Sequence, residues 1–375
     1  MMATKKTQSE SPVRKICIVV DNLDPHAGWG RLAGELSRQL MAHGWEVGFV
    51  VGSGQASANA LVVPLRDFSF RSIFAYIRSV LRIRKFLRRY DVVLCYDVNP
   101  YGITVCIAAL GLDTKVVIHA LGTYSLFTRS RVRNVLIAWA YRQADRVLIV
   151  SEFVRRRIEL NGFRFKSYDI VPVGVDTNRF SKKNSPAHTR PYIISVGGIK
   201  KRKGYHLTIP AFSRIAVRYP DLRYIIVGTP GDDAYTDQLR DIILGEKLTD
   251  RVEFLSGVSD EELVALYSHA ELYVQTSVTT DDSIEGFGMS YLEAGACGLP
   301  AVGARESGAE AAIEDGVTGF LVKHDPDDIA QAMSRILDNP GLSEQMGEAA
   351  ISHAKNFSWE RVANQYRMYL SEVLR

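Results

Sequence analysis

The sequence predicts an α/β protein built from two doubly wound units in tandem, each a parallel sheet with helices on both faces. Short apolar runs alternate with helical patterns through all 375 residues, and the alternation restarts after a polar, proline-bearing stretch at 176–191. Residues 1–180 carry 26 Lys/Arg and 14 Asp/Glu, a net charge of +12, whereas the remainder carries 20 and 28, a net charge of −8. Halves of opposite charge indicate two domains with different partners.

In the first half, strand KICIVV (15–20) precedes a helix over 31–44, in which every fourth residue from Leu32 to Leu40 is an apolar leucine on one face. A second strand follows at 45–51, and then a basic helix over about 72–89. Four further strands are predicted in the segments YDVVLCYD, TKVVIHALG, ADRVLIVSE and DIVPVG.

In the second half, strands are predicted in the segments YIISVGG, LRYIIVG, RVEFLSG, ELYVQTS, PAVGA and GFLV. Helices are predicted near 205–218, over 238–244, and from residues 260, 308 and 327, and an amphipathic helix over 357–374 closes the chain. We expect a ligand between the two units, at the carboxyl ends of the strands. The domains are expected over four segments: a disordered tail (1–13), a first domain (14–180), a second domain (181–358), and a terminal helix (359–375) that packs back on the first domain.

Composition places the chain among ordinary globular proteins, with 46% hydrophobic and 23% charged residues. No two cysteines form a C-x-x-C pair, which favours reduced, structural thiols in a cytoplasmic protein. The amino terminus runs into a strand rather than into a signal peptide, and the longest apolar stretch, 102–112, is too short to span a bilayer. The four cysteines are Cys17, Cys95, Cys106 and Cys297.

A glycine-rich segment, DPHAGWGRLAGEL (24–36), contains Gly28-x-Gly30-x-x-Ala33, which formally satisfies the dinucleotide fingerprint. The glycines begin too far after the strand, and no acidic residue ends the second strand, so NAD is not expected. A glycine-rich loop that leads into a helix suits a phosphate, because its backbone N–H groups are unpaired. The alternative is a plain surface turn.

A basic loop follows the first strand of the second half, in SVGGIKKRKGYHL (195–207). Basic side chains at the carboxyl end of a parallel strand can neutralise phosphates, although the loop is not a Walker A motif. The alternative is a solvated run of charge. The loop contains Lys200, Lys201, Arg202 and Lys203.

The segment EGFGMSYLEAGACGLPAV (285–302) sets one glutamate before a glycine turn and a second eight residues later. The turn should open a helix, whose N–H groups at Phe287, Gly288 and Met289 could hold an anion or sugar hydroxyls. Glu285 would orient a hydroxylated ligand, and Glu293 could accept hydrogen bonds from a vicinal diol such as ribose. Sugar, diphosphate and ribose together describe a sugar nucleotide. The plainer interpretation is a dipole-favoured acid and an exposed helical glutamate.

These segments resemble the retaining glycosyltransferases of family 4, which have the GT-B fold. EGFG-x-x-x-LEA-x-A-x-G-x-P and the following GARESGAEAAIEDGVTGFLV (303–322) look like the family's best-known block, including its E-x7-E pair. DIVPVGVDTNRF (169–180) resembles its interdomain signature, and AGWGRLAGELSRQL (27–40) its glycine loop. His119 follows a predicted strand where such enzymes commonly carry a histidine; on the residues alone, a core or capping histidine is the alternative.

The resemblance implies a role for each matching residue. Glu285 would contact the donor sugar and Glu293 the ribose, while Lys203 would bind the diphosphate with help from Gly28 and the Met289 amide. His119 would line the pocket beside the anomeric carbon. The resulting catalytic candidates are Glu285 and His119, and the donor-binding candidates are Gly28, Trp29, Arg202, Lys203, Val258, Phe287, Gly288, Met289 and Glu293.

The same resemblance implies transfer with retained anomeric configuration, without a metal or a cofactor. The co-substrate would be a UDP- or GDP-linked sugar, and the acceptor a saccharide or lipid-linked glycan of the cell envelope. A non-catalytic sugar-nucleotide-binding protein and an epimerase of the same fold are the alternatives.

Two stretches depart from the family pattern. Gly198 stands where an arginine is common, so that Arg202 or Lys200 would supply the charge. Gln275-Thr276-Ser277 replaces the usual Pro-Ser. Asp325-x-Asp327 is interpreted as a helix cap rather than a metal site.

The segment 68–90 carries seven Lys/Arg and no acid, interleaved with apolar residues. Such a helix fits an anionic membrane surface or a lipid-linked acceptor, and would place the protein on the inner face of the plasma membrane. The alternative is an outer helix of the fold whose arginines lie over apolar neighbours. No segment resembles a nucleic-acid recognition module, so nucleic acid is not expected.

Overall fold

The computed structural model describes residues 13–25, 27–54, 59–64, 73–126, 128–183, 190–231 and 233–375. Within these residues the chain forms two parallel sheets flanked by helices, which confirms the predicted fold class. The predicted tail, apart from Val13, lies outside the described residues, as do 184–189 of the linker and 68–72 of the basic segment.

The first sheet has the spatial order β3-β2-β1-β4-β5-β6-β7 in the described part of the chain. The order in which successive strands are added to the sheet therefore reverses between the parallel strands β1 and β4, which creates a crevice at their carboxyl ends. The strands are β1 (Lys15–Val20), β2 (Glu46–Val51), β3 (Ala60–Val62), β4 (Val92–Tyr96), β5 (Lys115–Ala120), β6 (Arg146–Ile149) and β7 (Tyr168–Ile170). The helices are α1 (Gly28–Ala42), α2 (Ile73–Leu87), α3 (Ile103–Ala109), α4 (Arg131–Gln143) and α5 (Glu152–Leu160).

The second sheet has the order β10-β9-β8-β11-β12-β13, and its reversal lies between β8 and β11. The strands are β8 (Tyr192–Val196), β9 (Arg223–Val227), β10 (Val252–Leu255), β11 (Leu272–Gln275), β12 (Ala301–Ala304) and β13 (Gly319–Val322). The helices are α6 (Tyr205–Ala216), α7 (Ala234–Gly245), α8 (Asp260–His269), α9 (Met289–Ala296), α10 (Ala309–Ala312), α11 (Pro326–Leu337), α12 (Pro340–Lys355) and α13 (Trp359–Val373).

The central strands β1 and β4 are buried along nearly their whole length. Helices cover both faces of a parallel sheet, so such strands are continuous apolar runs rather than alternating ones. This is why KICIVV and VVLCY were legible as strands in the sequence.

Helix α1 begins at Gly28, three residues earlier than the sequence pattern predicts. The glycines therefore form the first turn of the helix rather than a loop before it. A Cβ on Gly30 would lie 2.1 Å from the carbonyl oxygen of Asp24, so only glycine allows the chain to fold back this closely.

The last helix, α13, leaves the second domain and packs on the first. Tyr366 of α13 donates a hydrogen bond to His119 of β5 (2.6 Å), and Glu372 pairs with Arg146 of β6 (2.7 Å). Trp359, at the start of α13, fills the space beside Gly174, where a Cβ would lie 2.4 Å from its ring. The C-terminal segment thus joins the two domains a second time.

Among the described residues, none of the helices combines the length and the apolar character that crossing a membrane requires.

Candidate active site

A cluster of buried charges lies where the loops after β8 and β11 meet. The carboxylate of Glu285 forms an ion pair with Lys203, with 2.7 Å between Oε2 and Nζ. The Arg202 guanidinium pairs with the same carboxylate. The side chains of Lys203 and Glu285 are only 10% and 11% exposed. The structure therefore brings together the basic loop and the EGFG segment, two motifs far apart in the sequence.

The two central members of this cluster have perturbed pKa values. Burial alone would raise the pKa of Glu285, but the neighbouring Lys203 and Arg202 outweigh it, so that its pKa lies below the ordinary value. Burial lowers the pKa of Lys203, an effect that the carboxylate of Glu285 opposes. A buried ammonium needs a compensating negative charge, which Glu285 supplies.

Gln275, at the end of β11, supports the lysine. With its amide oxygen turned toward the cation, Gln275 accepts hydrogen bonds from Lys203 Nζ and from the Ser277 hydroxyl, both at 3.1 Å. This residue was noticed in the sequence only as a departure from the family's Pro-Ser. In the structure it fixes the position of the lysine.

The EGFG loop lies directly against the first domain. A Cβ on Gly286 would be 1.9 Å from the carbonyl oxygen of Leu121, so any side chain here would separate the domains. Ser151, the N-cap of α5, donates to the Gly286 carbonyl (2.6 Å), and the Ile284 amide donates to Thr123 Oγ1 (3.1 Å). These contacts place Glu285 at the boundary between the two domains.

Helix α9 begins directly after this loop. Gly288 has φ of 85°, a left-handed conformation that side chains rarely adopt, and it turns the chain so that Met289 starts the helix. The helix N-terminus carries partial positive charge from its unpaired N–H groups. The Phe287 side chain points the other way and packs on Phe357, with ring centroids 5.8 Å apart.

Glu293 lies inside α9, and it forms a second cluster that spans the two domains. Its Oε1 is 3.2 Å from Arg31 Nη1, in the first turn of α1, and Tyr267 donates to Oε2 at 3.4 Å. Arg31 also reaches Asp260 at 3.3 Å. Burial raises the pKa of Glu293, and the charge of Arg31 opposes the rise. The predicted diol-binding glutamate is thus held by an arginine of the other domain.

Other predicted residues lie around these clusters. Gly28 opens α1, and a Cβ there would meet nothing within 4 Å, which leaves space above the first turn. Val258 is half-buried just before α8 and packs against the apolar core. Trp29 packs its ring on Tyr124 (centroids 5.3 Å apart) and lines a separate pocket in the first domain. Near Gly198 the first atom that a Cβ would meet is Lys200 Cε, at 3.9 Å.

The expectation that His119 follows its strand and lines the ligand pocket is not supported. His119 is the fifth residue of β5 and has no exposed surface. Its Nε2 lies 3.0 Å from the Val171 carbonyl oxygen and must carry the proton, so Nδ1 accepts from Tyr366. Burial lowers the pKa of His119 to about 3. The ring is therefore a neutral, sealed packing group, because α13 covers the position that the sequence left open.

Sequence reasoning missed Arg31, Thr123, Ser151 and Asp97. Asp97 is fully buried after β4, and its Oδ1 accepts hydrogen bonds from the amide of Leu121 (2.8 Å) and from Ser125. It thereby holds the loop that faces the EGFG segment. Burial raises the pKa of Asp97 to about 6. For Arg31 a signal was present, since it directly follows the glycine-rich segment that was interpreted as a phosphate site.

In the described part of the chain, no group of three or more His, Cys, Asp or Glu residues could hold a metal ion. Asp325 accepts hydrogen bonds from the amides of Asp327 and Asp328 and caps α11, as predicted.

Known proteins share the two-domain architecture described above. The model of the family described as Glycosyltransferase Family 4 matches residues 27–179, and that of Glycosyl transferases group 1 matches residues 176–353. HepE of Anabaena, solved in complex with UDP and glucose, superposes with a TM-score of 0.81 at 19% identity, over 96% of this chain and 100% of that chain. The fold is therefore that of the two-domain GT-B proteins.

Two curated relatives illustrate the sequence similarity. The D-inositol 3-phosphate glycosyltransferase of Corynebacterium efficiens is 35% identical over 192 residues, 50% of this chain and 44% of that protein. The GDP-mannose-dependent α-(1-6)-phosphatidylinositol monomannoside mannosyltransferase of Mycolicibacterium smegmatis is 31% identical over 229 residues, 58% of this chain and 59% of that protein. The matched part of this chain spans about half the length of these relatives. With both family matches in tandem, the chain belongs to the family 4, group 1 glycosyltransferases.

Proposed function

We propose that this protein is a retaining glycosyltransferase that moves a sugar from a nucleotide-diphosphate sugar to a saccharide or lipid-linked acceptor of the cell envelope. The observation that carries the proposal is the buried Lys203–Glu285–Arg202 cluster at the start of α9, with Glu293 on the same helix. Family membership and the names of relatives that use GDP-mannose, or that were solved with UDP and glucose, support a UDP- or GDP-linked donor.

In this proposal Lys203 and Arg202 bind the donor diphosphate. Both cations now pair with Glu285, and a diphosphate would offer them a more highly charged partner. Glu285 would then accept hydrogen bonds from the sugar hydroxyls. Glu293 would accept hydrogen bonds from the ribose, in place of or beside Arg31.

The chemistry required of the protein is mainly electrostatic. When the bond between the sugar and the diphosphate breaks, negative charge grows on the leaving diphosphate. Lys203, Arg202 and the N–H groups at the start of α9 lie beside one another, where they could stabilise that charge. These groups supply the positive charge for which the proposal would otherwise need a metal.

Two alternatives use the same site, namely a non-catalytic sugar-nucleotide-binding protein and an epimerase of the same fold. The presence of both glutamates and both cations favours the transferase. A transferase releases free nucleotide when it is given donor and acceptor, whereas an epimerase returns an intact sugar nucleotide.

The donor site is tested by calorimetric titration with UDP, GDP, ADP and their glucose and mannose conjugates. We expect one nucleotide class to bind, and binding to weaken at least about tenfold in Glu293→Ala, since a hydrogen bond to a charged group contributes about 1.5–3 kcal/mol. Glu261→Ala, an exposed acid on α8, is the matched control and should bind as the wild type does. Absence of binding in the folded wild type would overturn the proposal.

We also propose that the protein works in the cytoplasm at an anionic membrane surface, through α2. Phe74, Ile77 and Leu81 form an exposed apolar stripe on this helix, and Phe74 is 84% exposed. Exposed basic residues lie beside the stripe, including Arg78 and Arg82. An exposed apolar stripe flanked by cations fits the interface of an anionic bilayer.

Flotation with phosphatidylglycerol vesicles tests this surface. The wild type should float with these vesicles and not with pure phosphatidylcholine, and the triple variant Phe74→Ser, Ile77→Ser, Leu81→Ser should stay at the bottom of the gradient. Wild-type protein that stays unbound would remove the membrane proposal and leave the donor site untouched.

A further inference from the structure

The first domain contains an apolar pocket of about 540 Å³ that the donor site does not use. It lies at the crevice between β1 and β4 and is walled by α1, α2, α3 and α4. This volume is within the range of sites that hold small molecules. Aromatic and aliphatic side chains dominate its lining, among them Trp29, Tyr76, Tyr101, Ile107, Tyr124 and Leu136.

One end of the pocket lies next to the donor site. Asp21, at the end of β1, lines this end and accepts a hydrogen bond from the Tyr101 hydroxyl at 2.7 Å. Tyr124 also lines the pocket, and its neighbour Thr123 accepts a hydrogen bond from the amide of Ile284, the residue before Glu285. A molecule seated in the pocket would therefore lie beside the loop that carries Glu285.

The helices that wall the pocket also carry apolar residues on their outer surfaces. Tyr76 of α2 and Leu136 of α4 line the pocket, while their neighbours Ile77 and Val135 are exposed, Val135 at 69%. The apolar lining thus continues toward an exposed apolar surface. Around it lie the exposed cations Arg129 and Arg131 of the α4 region, in addition to those of α2.

We propose that this pocket holds the hydrocarbon chain of a lipid-linked acceptor, next to the group that receives the sugar. The inference rests on the proposed transferase function and specifies its acceptor. Four of the lining residues are polar or charged, namely Asp21, Asn99, Thr104 and Arg133, and the other eight are aromatic or aliphatic. The larger, apolar part of the wall gains by excluding water from a hydrocarbon chain, and the polar residues are left for the group that receives the sugar. The chain would leave the pocket between α2 and α4, where exposed apolar residues and cations match an anionic lipid surface.

The test is calorimetric titration of the whole protein with n-alkyl β-D-glucosides of six, seven and eight carbons, below their micelle concentrations, with glucose as the chain-free probe. If the chain enters the pocket, affinity should rise by about fourfold for each added methylene. Equal affinity for glucose and for all three glucosides would overturn the inference and indicate a saccharide acceptor.

Substitutions in α3 and α4 test whether the hydrocarbon chain binds inside the pocket. Leu136→Gln and Ile107→Gln place an amide in the pocket and should each weaken octyl glucoside binding by about tenfold or more. Val135→Gln changes the adjacent, outward-facing residue of the same helix and should bind as the wild type does. Loss in Val135→Gln equal to that in Leu136→Gln would place the chain on the outer surface and overturn the inference.

Nucleotide binding, measured on the same samples, separates the two proposals. Variants that still bind nucleotide are folded, so their loss of glucoside binding is specific. If the wild type binds nucleotide but no alkyl glucoside, the acceptor inference fails alone. If the wild type binds no nucleotide, the donor proposal fails, and the acceptor inference that rests on it fails as well.

Discussion

Two buried polar clusters occupy comparable positions at the carboxyl ends of the two sheets, and they differ in charge and access. In the second domain, Glu285, Lys203 and Arg202 form a charged group at the domain boundary. In the first domain, His119 is neutral, bonded at both ring nitrogens and sealed by α13. A nearly buried group of opposite charges at a domain boundary is a candidate for a functional site, whereas a neutral and fully bonded group is typical of packing.

The largest effect is expected from removing the central cation of the charged cluster. Lys203→Met should lower the rate of nucleotide release from the donor sugar by about 10²-fold or more, since a fixed group that stabilises the developing charge is lost. Glu285 keeps Arg202 as a partner, so the fold should persist.

Lys201→Met is the matched control, because Lys201 is an exposed neighbour in the same loop. It should change the rate less than threefold. If the two variants behave alike, the buried ion pair has no part in the reaction, and the contrast between the clusters disappears.

The next effect concerns the neutral cluster and appears in stability rather than in rate. His119→Gln should lower the free energy of unfolding by about 1–3 kcal/mol, the usual cost of disturbing a buried hydrogen-bonded group. The rate per folded molecule should stay unchanged. A large loss of rate at unchanged stability would return His119 to the active site.

The contribution of His119 to the free energy of unfolding should change with pH in a direction that its pKa determines. The folded-state pKa of His119 is lowered to about 3 from 6.5, so below pH 6.5 unfolding takes up a proton. Its stabilising contribution is complete above pH 6.5 and falls by about 1.4 kcal/mol per pH unit as the pH drops toward 3. The wild type should lose stability with acid more steeply than His119→Gln, as measured by urea unfolding at several pH values. Subtracting the unfolding free energy of His119→Gln from that of the wild type at each pH removes the contribution of other titrating groups, such as Asp97.

The smallest effect is expected from Arg31, which pairs with Glu293 across the boundary between the two domains. Arg31→Ala leaves Glu293 buried without its cation, so the pKa of Glu293 should rise further. Nucleotide binding should weaken about threefold to tenfold at pH 8 and more at pH 6, where more of the carboxyl is protonated; calorimetry at the two pH values measures this. Arg38→Ala, on the same helix but outside the cluster, should show neither change.

An Arg31→Ala protein that binds nucleotide more tightly would contradict this expectation. It would show that Arg31 competes with the ribose for Glu293 instead of keeping the glutamate ionised.

The sequence alone determined the fold class, because buried parallel strands and amphipathic helices leave local, periodic patterns of apolar residues. It also predicted that Glu285 lies just outside the N-terminus of a helix that contains Glu293, since that spacing is local; the helix begins at Met289, so Glu293 lies about one turn inside it rather than two. The family resemblance then pointed to the correct family. Helix α1 was found by the same means, although its first turn was missed because glycines carry no apolar signal.

Only the tertiary structure decided which of these residues meet. Arg202 and Glu285 are 83 residues apart, Arg31 and Glu293 are 262 apart, and Tyr366 and His119 are 247 apart. No local pattern encodes such pairings, because each depends on how two sheets and a terminal helix pack against one another. The family resemblance made His119 a candidate cleft residue, whereas the apolar strand before it favoured a core or capping histidine. The segment that seals it lies at the far end of the chain and reaches it only in the folded protein.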